Sequence, residues 1–439
     1  MAKYEKRSVK KIRPEKPLAK AKPERIRMKP EKSVKLPKTA AGDAAPKSNA
    51  RPQKPKKLNV AELQIVKGYK EINRKKTLIC VGLVVGVVSL FILASVLTPT
   101  GIGEYISNAM AAVENGSGYP QKLSGEDIVH AETQNKITYV LSETFIETYN
   151  SSGYNLISDQ HGFSNPVLKT SAARALVFDR GGTGCKIYNF KKCVAEKVLD
   201  DKIMAAHIGR DGSTAFVLNS NEYASRVEVY DKDFNRRYSW NAASETISAV
   251  ALSDNGSKVA VAAVKTVNGE YITSVYIFNY KSASPIFTKQ IKGDIVISLY
   301  SDSKSVWAVT LNGVYRIGWK DHSSTDIEFL SGVDIVCHSY NKMAVAAPSE
   351  SNSLDTTVSV FDKTGQKVIS VDISGEAEDI CIGKKYIYVL KSDTVEVYDM
   401  LGNFIKEIEV GYDVKYLSEP VNGSFGAVST SNINIFKIK

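Results

Sequence analysis

Two short stretches of this chain hold the side chains best suited to recognition chemistry. Asp159-Gln160-His161-Gly162-Phe163-Ser164-Asn165-Pro166 brings an imidazole, an aromatic ring and an amide close together. Asp179-Arg180-Gly181-Gly182 adds a carboxylate and a guanidinium. If the two are neighbouring loops on one face, His161, Phe163, Asn165, Asp179 and Arg180 share a rim. Such a polar and aromatic group can grip a protein or a glycan. The competing reading is a structural Asp179–Arg180 turn beside a packed His161.

Other chemistries lack their residues. The five histidines, at 130, 161, 207, 322 and 338, form neither a His-Glu-x-x-His nor a Cys/His pair at zinc spacing. Asp231-Lys232-Asp233-Phe234-Asn235 has some of a calcium loop's carboxylates. It lacks the glycine and the terminal Glu, and reads as a hairpin turn. Gly181-Gly182-Thr183-Gly184 joins two strand patterns rather than a strand to a helix, so it is no phosphate cradle. There is no Gly-x-Ser-x-Gly elbow and no Walker loop. No catalytic residue, metal ligand or cofactor is assigned. Cys185 and Cys193 flank an expected hairpin and are candidates to pair across it; Cys337 and Cys381 read as buried thiols.

The elements that must position these residues repeat. A short apolar strand recurs around Val140, Val177, Val217, Val261, Val309, Val345, Val389 and Val428, at spacings of 37, 40, 44, 48, 36, 44 and 39. A second strand follows, apolar–x–apolar–aromatic and then usually Asp or Asn, as in Val227-Glu228-Val229-Tyr230-Asp231 and Val395-Glu396-Val397-Tyr398-Asp399. Alternation of period two marks half-buried strands, and Asp211-Gly212, Asn255-Gly256 and Thr364-Gly365 mark turns. About four short strands in some 40 residues make a β-propeller blade. The expectation is an all-β propeller over 118–439 with eight blades, seven being the alternative. The last repeat is one strand short, and Tyr119-Pro120-Gln121-Lys122-Leu123-Ser124 is the candidate to complete it. A β-sandwich would need no such period. The stretches Val264–Tyr271 and Pro348–Asp355 read as long loops on the same face as the recognition group.

Ahead of the repeats, Thr77 to Leu97 runs without a charge. As a helix it covers about 30 Å, a bilayer's hydrocarbon core. Arg74, Lys75 and Lys76 abut its start, while Glu104 and Glu114 are the only charges between Thr98 and Gln121. By the positive-inside rule, 77–98 is a single-pass signal anchor with a cytoplasmic N-terminus and an extracytoplasmic C-terminal domain. The net charge of +11 divides into +18 over 1–76 and −7 over the rest. Residues 1–57 hold eight of the fourteen prolines and read as a disordered Lys/Pro-rich tail. Residues 58–76 have the spacing of a short amphipathic juxtamembrane helix, and 99–117 form a connector.

Ser253-Asp254-Asn255-Gly256-Ser257-Lys258 and Gly209-Arg210-Asp211-Gly212-Ser213 resemble the strand–turn–strand of WD40-like and quinoprotein-like propellers. The Trp-Asp dipeptide of true WD40 repeats is absent. The layout from about residue 70 onward is similar to an uncharacterised family of membrane-anchored propellers from Gram-positive, often anaerobic, bacteria. Gly118-Tyr119-Pro120, Gln160-His161-Gly162-Phe163 and Asp179-Arg180-Gly181-Gly182 carry the likeness. It implies architecture and a place at the membrane, and no activity.

The expected role is a protein- or glycan-binding scaffold of the cell envelope, with the tail able to touch anionic lipid headgroups. One alternative is an envelope carbohydrate- or peptide-processing enzyme built on Asp179, Arg180 and His161. Another is a tail that tethers nucleic acid to the membrane. The tail's lack of a base-reading fold and of interleaved aromatics argues against that.

Overall fold

The computed structural model describes residues 78–79, 81–90, 100–125 and 127–438. The expected cytoplasmic tail, the juxtamembrane helix and the far end of the expected span fall outside the described residues. Residues 78–79 and 81–90 are helical, and large side chains there such as Leu83 and Leu90 are exposed. No helix among the described residues is long and apolar enough to cross a membrane.

From residue 121 onward, eight four-stranded antiparallel sheets follow one another along the chain. Seven are built from consecutive strands, beginning with Ile128–Gln134, Ile137–Ser142, Phe145–Asn150 and Asn155–Gln160 as blade 1. Blade 8 takes three strands from 414–437 and its outermost from Gln121–Lys122, with Gln121 opposite Ile433. At seven of the eight junctions, blade 8 to blade 1 included, the first strand of one blade packs beside the first strand of the next; blades 5 and 6 meet through second-strand side chains such as Trp307 and Val345. The fold is an eight-bladed propeller, closed by the strand that the short last repeat calls for.

The recurring valines lie on the second strands and the aromatic-ended motifs on the third. The second strands are buried on both faces over most of their length, because each blade stacks between two others, and the third strands alternate buried with partly exposed positions. Burying such apolar faces releases about 25 cal/mol per Å², and no blade could do so alone. A third-strand Glu two positions before the Tyr ties off its hydroxyl. Tyr149 Oη donates to Glu147 Oε1 at 3.0 Å, and Tyr230 and Tyr398 donate likewise to Glu228 and Glu396. The Asp that follows then folds the next turn. Asp231 Oδ1 accepts from the Asp233 and Asn235 N–H groups at 3.0 and 2.8 Å, and Asp399 Oδ1 from Leu401 and Asn403 at 2.8 and 2.9 Å. The Asp231 carboxylate is thus engaged by a hairpin turn.

One expectation needs correcting, and one open question is answered. Residues 264–267 and 270–271 belong to long strands, Lys258–Val267 and Glu270–Asn279, joined only by Asn268-Gly269. Lys265, Thr266, Asn268, Gly269 and Glu270 gave the segment a loop-like composition. Its backbone nonetheless pairs to the tip, with Val267 opposite Glu270. Cys185 and Cys193 are free thiols, because Cys185 faces Lys197 across the ladder and Cys193 faces Tyr188.

Residues 100–117 of the expected connector also prove more than a linker. Ile102–Ala111 is a helix, and it docks under blades 1 and 2. Asn108 Nδ2 donates to Ala173 O at 3.0 Å, and Asn150 Nδ2 donates to Ala111 O at 3.1 Å and Glu114 O at 2.7 Å. Arg174 grips Glu104 and also donates to Lys232 O at 2.8 Å.

Candidate functional site

Strand direction sorts the connections between two faces. Inter-blade links and second-to-third-strand loops emerge on one side, here the loop face. First-to-second and third-to-fourth turns emerge on the other, the turn face. The connector helix docks on the turn face, through the turns at 150–154, 171–174 and 189–192.

The structure brings the expected recognition residues together on the loop face, with unequal roles. Asn165 N donates to Asp179 Oδ1 at 2.8 Å, and Arg180 N donates to Asn165 O at 2.9 Å, so the two loops are knitted to each other. A Cβ on Gly182 would collide with the Asp179 carboxylate, so glycine there leaves it free to reach Asn165. His161 is buried. Its Nε2 lies 3.1 Å from Ser142 O, its Nδ1 accepts from Phe163 N at 3.0 Å, and its ring stacks on Phe163 at 5.6 Å. Burial holds the imidazole below its ordinary pKa, so at neutral pH it is an uncharged packing group. Arg180 and Asn165 remain exposed to solvent.

The inner strands add a feature that the second- and third-strand repeats do not announce. In five blades the innermost strand bulges one or two residues after its start, at 129, 204, 248, 297 and 415. A bulge re-aims its extra side chain. Val129, Met204 and Ile297 are exposed as a result (37%, 47% and 51%), although neighbouring blades cover both faces of these strands. The remaining open space is axial, so these side chains ring the mouth of the central channel on the loop face.

Farther down the axis lie titratable groups, also on inner strands. His130 Nε2 is 3.9 Å from a Glu132 oxygen. Lys169 has its pKa lowered first by burial, with Glu132 opposing and Arg180 reinforcing that shift. His207 is pushed down to about 3 by burial, then by the charges of Lys169 and His338. Burial alone would raise Asp302. The His338 imidazole 3.8 Å away, together with hydrogen bonds from Trp307 Nε1 at 2.9 Å and from the Lys304 and Ser305 N–H groups, instead holds this turn residue well below the ordinary carboxylate range. The sequence signal for this set is a polar residue beside a small or apolar one in a short strand: Ala131-Glu132, Leu168-Lys169, Ala206-His207. Every thiol and phenol with a shifted pKa is shifted toward its protonated form, burial being the main cause at Tyr139, Tyr188 and Cys185. None of them supplies an anionic nucleophile at neutral pH.

The faces differ in charge. Among the described residues between strands, the loop face carries fourteen Asp and Glu against three Lys and Arg. The turn face carries eight against twelve. A rim of one sign around a low-dielectric mouth focuses its potential. The loop face therefore suits a cationic segment with apolar side chains.

A family model described as "Family of unknown function (DUF5711)" matches residues 121–437, nearly the whole ring. No curated protein matches the chain in sequence. Among solved structures, the computationally designed Ika8 protein superposes with a TM-score of 0.55 at 14% identity, covering 72% of this chain and 98% of its own. BamB from Moraxella catarrhalis gives 0.48 at 12%, covering 73% and 98%. The Cps50 (Swd1) β-propeller domain of Myceliophteria thermophila gives 0.44 at 9%, covering 73% and 100%. At such identities the likeness is one of fold.

Proposed function

The chain belongs to the DUF5711 family, and on that premise we propose that its propeller is a protein-binding scaffold held at a membrane by residues 77–98. The observation that carries this reading is the opposition of the two faces. The chain arrives on the turn face, where its connector is fastened, while the acidic rim and apolar mouth open on the far side. A scaffold anchored from below presents its recognition surface away from the bilayer. The ring then faces the cell envelope, with the N-terminal tail in the cytoplasm by the positive-inside rule. The resemblance to propellers of Gram-positive anaerobes supports the same placement.

The partner that fits is a cationic, amphipathic protein segment. Its basic side chains would meet the rim and its apolar ones the ring of Val129, Met204 and Ile297, as at interfaces with an apolar centre and polar rim. Arg180 and Asn165 would border that site, held in place by Asp179, His161 and Phe163.

A photo-crosslinking residue at Met204 in the intact protein tests this, with one at Lys363 on the turn face as control. The expected result is a protein adduct at Met204 only, lost when Ile297→Glu is added and weakened by salt. A glycan adduct at Met204 would replace protein by carbohydrate. Equal labelling from both positions would defeat the face assignment.

A further inference from the structure

The connector helix is amphipathic in the reverse sense. A helix on a water-soluble domain turns its apolar stripe inward and its polar side chains to solvent. Here the inward side is polar or small: Glu104 meets Arg174, Asn108 donates to Ala173 O, and Ala111 is wholly buried. The outward side is apolar throughout. Tyr105, Ile106, Met110 and Val113 are 58%, 53%, 60% and 77% exposed, and Gly103 and Ala109 are exposed with them. At 100° per residue the helical positions among these, 103 to 110, fall on a single side, and Val113 follows just past the helix end. The outward side carries no charge.

The position of the helix names its occupant. It begins at Ile102, five residues after the uncharged run ends at Leu97. The described part of that run also presents its apolar side chains outward. The helix lies on the propeller face with an excess of Lys and Arg, the sign that anionic headgroups attract. We propose that Tyr105, Ile106, Ala109, Met110 and Val113 lie in the lipid interface beside the span, seating the turn face of the propeller on the membrane. The inference rests on the anchored reading above. An interfacial helix buries its apolar side about 5–10 Å into the headgroup and acyl boundary. The Glu104–Arg174 pair makes helix and ring one body, so the seated helix also sets the propeller's tilt.

The test uses the full chain in lipid nanodiscs containing phosphatidylglycerol, with or without brominated acyl chains, and the emission that single added tryptophans contribute. Leu90→Trp reports the span, Ile106→Trp the outward side of the helix and Tyr223→Trp the loop face. The expected result is that bromination removes most of the emission added at 90 and 106 and none of that at 223. Quenching at 90 without quenching at 106 overturns the interfacial helix and leaves the anchor standing. This includes the case in which a protein covers the stripe. Quenching at neither position removes the anchor and the inference together.

Discussion

Arg174, on the turn between the first two strands of blade 2, holds Glu104 of the connector helix with two parallel hydrogen bonds. Nε donates to Oε1 at 2.8 Å and Nη2 to Oε2 at 2.7 Å. Both side chains are largely shielded, at 9% and 13% exposure. The paired geometry is the one in which a guanidinium discriminates best for a carboxylate. A connection that looks like a linker in sequence is by this contact part of the ring.

Removing one partner strands the other charge in a shielded place. Arg174→Met should therefore cost about 3 kcal/mol and open residues 100–117 to proteolysis. Adding Glu104→Met should recover part of the loss, because both charges then go together. Thermal melting and limited proteolysis of the three variants measure this, and additive losses would mean the two residues act separately.

Topology is checked by protease shaving of intact cells, probing the tail and the C-terminal domain separately. The expected outcome is digestion within 118–439 and protection of 1–76. The reverse pattern would put the loop face in the cytoplasm and redirect the search for its partner.

Asp379, where the inner strand of blade 7 starts, gives a pH signature. Burial pushes its carboxyl up to about 7, although the Leu417 and Ile380 N–H groups donate to it and pull the other way. An unfolded Asp titrates near 4. Between those values the folded chain keeps a proton that the unfolded chain has lost, so this residue makes stability fall as pH rises from about 4 to about 7. Asp379→Asn should flatten that part of the profile in denaturant titrations across the window. Parallel profiles would show that Asp379 stays charged.

Cys185 is wholly buried, and burial pushes its thiol up to about 12. The reactive species is the thiolate. Alkylation of the native protein at neutral pH should leave Cys185 untouched, and unfolding should expose it. Intact mass should show no bond between Cys185 and Cys193, whose strand partners are Lys197 and Tyr188.

Much of the architecture was legible because stacked blades demand it. Second strands such as Phe216-Val217-Leu218 are buried on both faces, and third strands such as Thr394–Val397 alternate, so both leave a pattern in one sequence. The clasp at 121–122 follows from counting strands. Inner strands were not legible, since a bulge breaks the period and their side chains serve the axis as well as the core. The connector helix was missed because its polarity is reversed and because Glu104 finds its partner seventy positions away. Within the recognition group, spacing foretold the meeting of Asn165, Asp179 and Arg180. The burial of His161 depends on Ser142 and Phe163, which no local motif specifies.

The clasp also fixes an order of events. Gln121 pairs with Ile433, 312 positions later, the longest loop that any strand pairing in this protein must close. Loop closure of that kind is slow relative to hairpin formation within a blade. As the chain emerges from the ribosome, blades 1 to 7 can assemble in turn while the 121–122 segment waits without a ladder partner. Any interruption of synthesis before 433 leaves it so, with an open ring and two raw blade faces. A closed ring therefore reports that synthesis has passed residue 433.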